Sequence, residues 1–571
     1  MLFYLVRTPK GELVLSPFPE LDKPYFEGGS FKEDGKNIEP YTVLTPGVPL
    51  AYLETAAVPS ESILRALARE DVLKSFSWHW GDLEYLKDYL PGVVVGPESR
   101  EPNVEIVKSL RGRKLTEDEL RMLATSYGLK PEEVWQQAHL LVRAGLGEWV
   151  PAVRRERKGW RCQRCGESEL EEWPSIYGAA FTCPSCRSLG TSSTLKVIYR
   201  DLRTPARENF GLRSLNKTSD LVLTPAQEKA AGQVLEFVQS TLESEALLWA
   251  ACGAGKTEVC FPAAAWALGQ GKSVLFAAPR QDVIHDVAPR LQQAFPDLSI
   301  PVLSGASAAK FSAGDLVLAT THQVLRFYQA FDLIFLDELD AFPYRDSRML
   351  QWGVTQALRP GGKILFLSAT PDPATLKRIR KEGKIIRLPA RHHRRPLPVP
   401  VFKKMPDWSR VKDSGSLLSK MQPGFGSMLA ALREHGPVIF FVPKISSVNV
   451  WTEILKSIFP GWSIAGSYSR DPERLDKLVA LRRGDFDLFV ATSILERGVT
   501  IEGAQVAVMA ADHPVFDERS LVQMAGRAGR TRANPSGGVI FFAARETAAI
   551  RTAVRWINEQ NELARTAGLL D

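Results

Sequence analysis

The stretch ALLWAACGAGKTE, residues 246–258, sets the reading of the whole chain. An apolar run of strand length passes directly into a loop of small residues that ends on Lys256 and Thr257. Small residues let backbone N–H groups approach a phosphate closely, and a helix starting at the lysine adds its positive dipole end. Gly253 and Gly255 supply that freedom. Lys256 is the candidate contact to the β- and γ-phosphates, and Thr257 is the candidate ligand of Mg2+. A chance Gly-rich turn would lack both the strand before it and the helix after it.

Beyond this loop, short apolar runs alternate with amphipathic stretches. SVLFAAP (273–279), DLVLATT (315–321), LIFLDE (333–338) and KILFLSAT (363–370) form one series. PVIFFVP (437–443), DLFVATS (487–493), AQVAVMAAD (504–512) and GGVIFFA (537–543) form a second. Such runs bounded by turns predict buried strands of parallel sheets, so two α/β lobes joined by a Pro- and Arg-rich stretch are expected. LIFLDE delivers Asp337 and Glu338 to the carboxyl end of its strand, where open α/β sheets bind ligands. Asp337 is expected to hold Mg2+, and Glu338 to orient and deprotonate a water. Upstream, Leu223-Thr224-Pro225-Ala226-Gln227 could read an adenine edge through Gln227, although Pro followed by Gln also begins ordinary helices.

In the second series, Thr492 to Val499 follow a strand, and Gln523-Met524-Ala525-Gly526-Arg527-Ala528-Gly529-Arg530 carries two arginines three residues apart. Arginines so placed can reach a γ-phosphate across a cleft and stabilise the charge of the transition state. Arg530 is the first choice for this finger, with Arg527 beside it and Gln523 near the nucleotide. An Arg-rich surface helix would not need the paired glycines.

The chain has 571 residues, which is too long for one core and implies roughly three to four domains. The net charge of +7 permits nucleic-acid binding without establishing it. No apolar run approaches the roughly 20 residues that span a bilayer, and the start lacks a signal-peptide pattern, so a cytoplasmic protein is expected. Six cysteines are present, and four fall into two pairs, Cys162-x2-Cys165 and Cys183-x2-Cys186. That spacing suits one tetrahedral Zn2+. Arg154, Arg155, Arg157, Lys158, Arg161 and Arg164 lie near Trp160, Trp173, Tyr177 and Phe181, either as a platform for single strands or as surface and core of a small stapled fold. Cys252 and Cys260 read as packing. Before the cysteines, Thr116-Glu117-Asp118-Glu119 predicts a capping box, and a second helix follows Pro131.

Taken in order, the four-cysteine ribbon, LTPAQ, WAACGAGKTE, APRQDV, TTHQVLRF, LDELDAFPY, LSATP, ATSILERGVTI, ADHPVF and QMAGRAGR resemble ComFA, the late competence ATPase of Gram-positive bacteria. The loop form A-x-x-G-x-G-K-T is that of superfamily-two helicases. The resemblance runs from about residue 155 to the end. It implies two RecA-like parallel-sheet lobes in tandem, preceded by a small zinc-ribbon module and an N-terminal α+β region. The expected boundaries are 1–155, 156–200 for the cysteine module, 201–390 for the first lobe, and 391–571 for the second lobe with a C-terminal helix. It also implies ATP, Mg2+ and Zn2+, action on single-stranded DNA during uptake, and ComFC, DprA and the membrane channel ComEC as partners. Homo-oligomer formation is compatible with it, as is a peripheral position at the inner face of the membrane. Ser368, Thr370 and Gly498 would couple the ATP site to the nucleic acid. Arg280, Thr320, Thr321, Thr492, Arg497, Arg391, Arg394 and Arg395 are the candidate nucleic-acid contacts, the last three lying in a basic stretch from about Lys377 to Lys404. A PriA-like replication-restart helicase and an inactive DNA-binding adaptor are the competing readings. The first places its cysteines between helicase motifs, and the second would not need an intact Lys256, Asp337, Glu338, Arg527 and Arg530.

Overall fold

The computed structural model describes residues 1–8, 13–27, 42–43, 49–51, 103–175, 177–203, 222–305, 307, 310–407, 424–495, 501–530, 535 and 537–571. Strands β1 (Tyr4–Arg7), β2 (Leu13–Ser16) and β3 (Thr42–Val43) form a small sheet, with helix α1 (Pro19–Glu27) beside them in sequence. Next come α2 (Val104–Leu110), β4 (Lys114–Thr116), α3 (Glu117–Ser126), α4 (Pro131–Arg143) and β5 (Gly147–Pro151). The expected capping box is present at α3. The Thr116 side chain accepts from the Glu119 N–H, and the Glu119 carboxylate accepts from the Thr116 N–H.

Two hairpins follow, β6 (Val153–Glu156) with β7 (Gly159–Cys162), and β8 (Glu171–Ser175) with β9 (Gly178–Thr182). Strand β10 (Val197–Asp201) then pairs with both β4 and β5. The sheet order β4-β10-β5 therefore encloses the cysteine hairpins in a unit that begins well before them. This corrects the expected boundary at 155/156. No structural break falls there, because β5 and β10 are hydrogen-bonded neighbours on either side of the inserted hairpins.

This unit is fastened to the first lobe. The Lys114 N–H donates to the Arg326 carbonyl at 2.7 Å, and Tyr328 donates back to Gly112 at 3.0 Å. Glu119, fully buried, accepts from Arg326 of the lobe and from Arg164 of the cysteine loop. A buried carboxylate needs such partners, because an unpaired charge in the interior is strongly destabilising.

The first lobe is a parallel sheet. Its strands are β11 (Glu245–Ala250), β12 (Val274–Ala278), β13 (Val302–Leu303), β14 (Leu316–Thr320), β15 (Phe331–Asp337), β16 (Leu358–Ser368) and β17 (Lys384–Leu388), in the order β13-β14-β12-β15-β16-β11-β17. The helices of this region are α5 (Pro225–Gln239), α6 (Lys256–Gly269), α7 (Gln281–Ala294), α8 (Thr321–Val324), α9 (Arg348–Ala357) and α10 (Pro373–Glu382). The central strands are buried along their length, which is why they read as unbroken apolar runs.

The second lobe repeats the design with β18 (Val401–Lys404), α11 (Phe425–Arg433), β19 (Val438–Phe441), α12 (Ile445–Ile458), β20 (Ile464–Ser467), α13 (Arg474–Arg483), β21 (Leu488–Ala491), β22 (Gln505–Met509), α14 (Glu518–Ala525), β23 (Val539–Ala543) and α15 (Ala548–Thr566). Its parallel sheet has the order β18-β23-β22-β19-β21-β20. Helix α15 returns to the first lobe, where Trp556 meets Trp249 edge to face with ring centroids 5.7 Å apart. Asn561 also holds both backbone groups of Leu397, accepting from its N–H and donating to its carbonyl. Among the described residues no helix is long and apolar enough to cross a membrane.

Candidate active site and cysteine centre

Sheet order places the chemistry. In the first lobe β16 lies between β15 and β11, with Asp337 opposite Leu367 and Trp249 opposite Ser368. The carboxyl ends of these three adjacent strands therefore carry the carboxylates, the Ser368-Ala369-Thr370 turn and the phosphate loop side by side. Gly253 and Gly255 hold φ of +79° and +80°, a left-handed conformation that side chains disfavour. Gly255 precedes the first turn of α6, so the loop opens onto a helix N-terminus.

Lys256 Nζ pairs with Asp337 Oδ1 at 2.9 Å. Burial alone would lower the lysine pKa, but Asp337 and Glu338 outweigh it and raise it. Thr257 is buried one residue further on, and Glu338 is buried with φ of +55°. A left-handed, non-glycine residue at the end of a strand is a strained position of the kind found at functional sites.

Asp340 ties the carboxylates to the next strand. Ser368 donates to Asp340 Oδ1 at 2.7 Å, and Thr370 donates to Oδ2 at 2.6 Å. From the second lobe, Gln523 donates to Thr370 Oγ1 at 3.1 Å, and its carbonyl accepts from the Cys252 thiol at 3.5 Å. A hydrogen-bonded chain thus runs from the Asp337 loop through Asp340 and Thr370 to α14 of the opposite lobe. Sequence reading missed Asp340. Its signal was the third acid of Asp337-Glu338-Leu339-Asp340, whose role shows only once its two hydroxyl partners are in place.

Lys256, Asp337, Glu338, Gln523, Arg527 and Arg530 line one cleft with the phosphate loop. Arg527 is buried, and desolvation together with Arg530 lowers its pKa to about 9. A cation so depressed is one that bound phosphate charge would stabilise. Arg530 is half-buried, and its Cγ lies 3.2 Å from where a Cβ on Gly253 would stand. The cleft is braced by two ion pairs across the lobes, Asp282 with Arg474 at 2.6 Å and Arg345 with Asp517 at 3.3 Å.

The structure gives several of the expected residues partners of their own. Gln227 Nε2 donates to the Ala254 carbonyl at 2.9 Å, and its Oε1 accepts from the Thr224 N–H, so it braces the phosphate loop. Thr320 and Thr321 are buried where β14 turns into α8. Arg391 is buried too, with four hydrogen bonds inside the protein. Arg164 is buried on Glu119 and is not part of an exposed basic platform. Most of the apparent one-sign linker belongs to α10 and β17 of the first lobe. Its charges find acids and rings there: Arg378 pairs with Glu245, Lys384 with Glu236, and Arg387 stacks over Trp249 at 3.6 Å.

Arg394 and Arg395 are exposed, with Arg394 paired to Asp571 at 2.9 Å. Arg280 lies in the interlobe cleft beside Asp282, and Thr492 is half-buried after β21. Arg497 and Gly498 lie outside the described residues.

The four cysteines converge. Their sulfurs all lie within 4.8 Å of one another and are buried. Cys162 and Cys186 are 3.7 Å apart, and Cys165 and Cys183 are 3.5 Å apart. A tetrahedron with metal–sulfur bonds of about 2.3 Å has edges of about 3.8 Å, close to these two separations, so the cluster suits Zn2+. Hydrogen bonds from its neighbours pull the Cys162 thiol down, and the same contacts push Cys165 up, because four adjacent thiols cannot all ionise without a cation. Trp160 stacks on Phe181 at 5.0 Å, whereas Trp173 is exposed at the β8–β9 hairpin. Gly166 sits against Trp352 of α9, where a Cβ would come within 2.6 Å of the indole, which seats the cysteine loop directly on the first lobe.

Two RecA-like lobes with a phosphate loop and paired carboxylates on one, and an arginine pair on the other, define an ATP-hydrolysing enzyme of the superfamily-two helicase class. Residues 425–532 match the helicase conserved C-terminal domain family, and residues 220–373 match the type III restriction enzyme res subunit family. The competence protein ComFA of Bacillus subtilis (strain 168) is 36% identical over 415 residues, covering 72% of this chain and 87% of that one. ComFA of Streptococcus pneumoniae (strain ATCC BAA-255 / R6) is 36% identical over 421 residues, covering 73% and 94%. Among solved structures, Mycobacterium smegmatis helicase Lhr bound to ssDNA and AMP-PNP aligns over 63% of this chain and 51% of that one, at 19% identity and a TM-score of 0.47. The chain belongs to the ComFA family of competence proteins.

Proposed function

We propose that this chain is an ATP-driven motor that moves along single-stranded DNA as transforming DNA enters the cell. The observation that carries this reading is the hydrogen-bonded path from Asp340, on the loop that follows Asp337, through Thr370 to Gln523, which crosses from one lobe to the other. A nucleotide in the cleft touches both ends of that path, so binding and hydrolysis change the relation of the lobes. A strand lying across both lobes is then shifted stepwise. Lys256 holds phosphate, Glu338 acts on water, and Arg527 and Arg530 stabilise the developing charge. Thr257 and Asp337 would hold Mg2+, which supplies charge neutralisation at the phosphates. The cysteines would hold Zn2+ as a structural staple. Residues 103–203 are an accessory unit carried by the first lobe. Membership in the family adds ComFC, DprA and ComEC as candidate partners, with attachment to the membrane made through them.

Displacement of streptavidin from the end of a biotinylated single strand tests the motor. ATP-dependent release from one end only is the expected result. Release independent of ATP, or none despite rapid hydrolysis, contradicts it.

A further inference from the structure

Arg391 lies three residues beyond β17, at the start of the connection between the lobes, and is 2% exposed. Its Nε donates to the Cys252 carbonyl in the phosphate loop at 2.9 Å. Nη1 donates to Ala528 at 2.8 Å and to Gly529 at 2.5 Å, and Nη2 donates to Gly526 at 2.9 Å. The carbonyls of 526, 528 and 529 are those that flank Arg527 and Arg530. His393 Nε2 reaches the Gly529 carbonyl as well, at 3.0 Å. One guanidinium therefore grips the phosphate loop of the first lobe and the arginine-bearing turn of the second.

The placement fits a rigid brace. The carbonyls of 526, 528 and 529 lie just past the C-terminus of α14, outside its hydrogen-bond ladder, and the negative end of the helix dipole beside them favours a cation there. The connection is itself anchored on the loop side, because the Ala251 N–H donates to the Leu388 carbonyl at 2.8 Å. Gly253 leaves room for both arginines. A Cβ there would stand 3.2 Å from Arg530 Cγ and 3.6 Å from Arg391 Nε. Gly526 likewise lets α14 close onto Cys252, where a Cβ would come within 2.4 Å of the cysteine Cβ.

We propose that Arg391 is a positioning residue for ATP hydrolysis, fixing Arg527 and Arg530 against the phosphate loop without touching nucleotide. The proposal rests on the finger assignment made above. It differs from a packing role in what it predicts: loss of the brace misplaces groups that act in the transition state and leaves ground-state nucleotide binding to the loop intact.

The test uses the full-length, zinc-loaded chain with single-stranded DNA and compares Arg391→Lys, Arg391→Ala and Arg530→Ala. Lysine keeps the charge but presents one point donor group where a planar fork made four bonds. Arg391→Lys is expected to lower kcat about 30-fold with the KM for ATP within about two-fold of the parent. Affinity and stoichiometry for a fluorescent ADP analogue should be unchanged. Arg391→Ala should be at least as slow, and if it does not fold, the lysine variant decides alone. Parental kcat in Arg391→Lys overturns the proposal. So does a parallel loss of kcat and nucleotide affinity, or a fall in binding stoichiometry that accounts for the lost rate. Arg530→Ala separates the two claims. Parental kcat in that variant removes the finger assignment itself, whereas a slow Arg530→Ala beside a normal Arg391→Lys removes only the brace.

Discussion

Thr370 donates its hydroxyl hydrogen to Asp340 at 2.6 Å and at the same oxygen accepts from Gln523 at 3.1 Å. One hydroxyl thus joins the carboxylate loop of the first lobe to the helix of the second that leads into the arginine-bearing turn. Asp340→Asn keeps the shape but replaces one acceptor oxygen with a donor amide, which cannot accept from both Ser368 and Thr370. The DNA-stimulated rate should fall about ten-fold, in line with the loss of hydrogen bonds to a charged group, while the KM for ATP changes little. Steady-state ATPase measurements with and without single strands check this. Undiminished stimulation would show that the path carries no coupling.

Lys256 is held on Asp337 at 2.9 Å, so arriving phosphates must draw it away from that carboxylate. Lys256→Ala should abolish hydrolysis and leave affinity for single-stranded DNA within about three-fold of the parent, because the lysine lies at the phosphate loop and DNA affinity comes chiefly from contacts to the DNA backbone. Fluorescence anisotropy with a labelled oligonucleotide reports the second quantity. Near-normal turnover would refute the active-site assignment.

Much of this was legible in the sequence, for a physical reason. The phosphate loop, the Asp337-Glu338 strand end and the Gln523 to Arg530 turn are local devices. Their geometry is set by neighbouring residues, and their order in the chain suffices to read them. The cysteine pairs are readable for the same reason. What the sequence hid depends on partners far along the chain. Arg391 looked like one member of a basic linker, yet its acceptors are 135 to 139 residues away. Glu119 looked like half of a helix cap, yet it also binds Arg326, 207 residues on. Thr320 and Thr321 sit in a motif that resembles a nucleic-acid contact, and only the packing of α8 shows them buried.

The cysteine cluster should hold one tightly bound Zn2+ per chain. A Cys183→Ser, Cys186→Ser double variant should lose the metal and become less stable, since metal binding and folding of a small module are coupled. Because Arg164 lies between Cys162 and Cys165 and shares Glu119 with Arg326, the loss should also loosen the seat on the first lobe. Elemental analysis of the purified variant, with a thermal melt, reads both effects. Unchanged zinc content would sink this assignment.

Arg394 and Arg395 remain exposed near the lobe junction, and the ion pair of Arg394 with Asp571 is a surface one that contributes little by itself. If they bind DNA phosphates, replacing both with alanine should flatten the plot of log affinity against log salt by about 0.7 for each phosphate left without its arginine. Binding should weaken for all sequences alike. A salt slope equal to the parent's would assign them to the linker alone.

Conversion of ATP hydrolysis into movement on a single strand requires that the strand itself control turnover, and phosphate release reads that control. The zinc-loaded full chain is assayed alone, with single-stranded DNA, with duplex DNA and with RNA. The expected result is a slow rate in isolation, a rise of about ten-fold or more with single-stranded DNA as the cleft closes, and a smaller response to blunt duplex. A rate that is the same with and without single-stranded DNA would contradict the motor assignment.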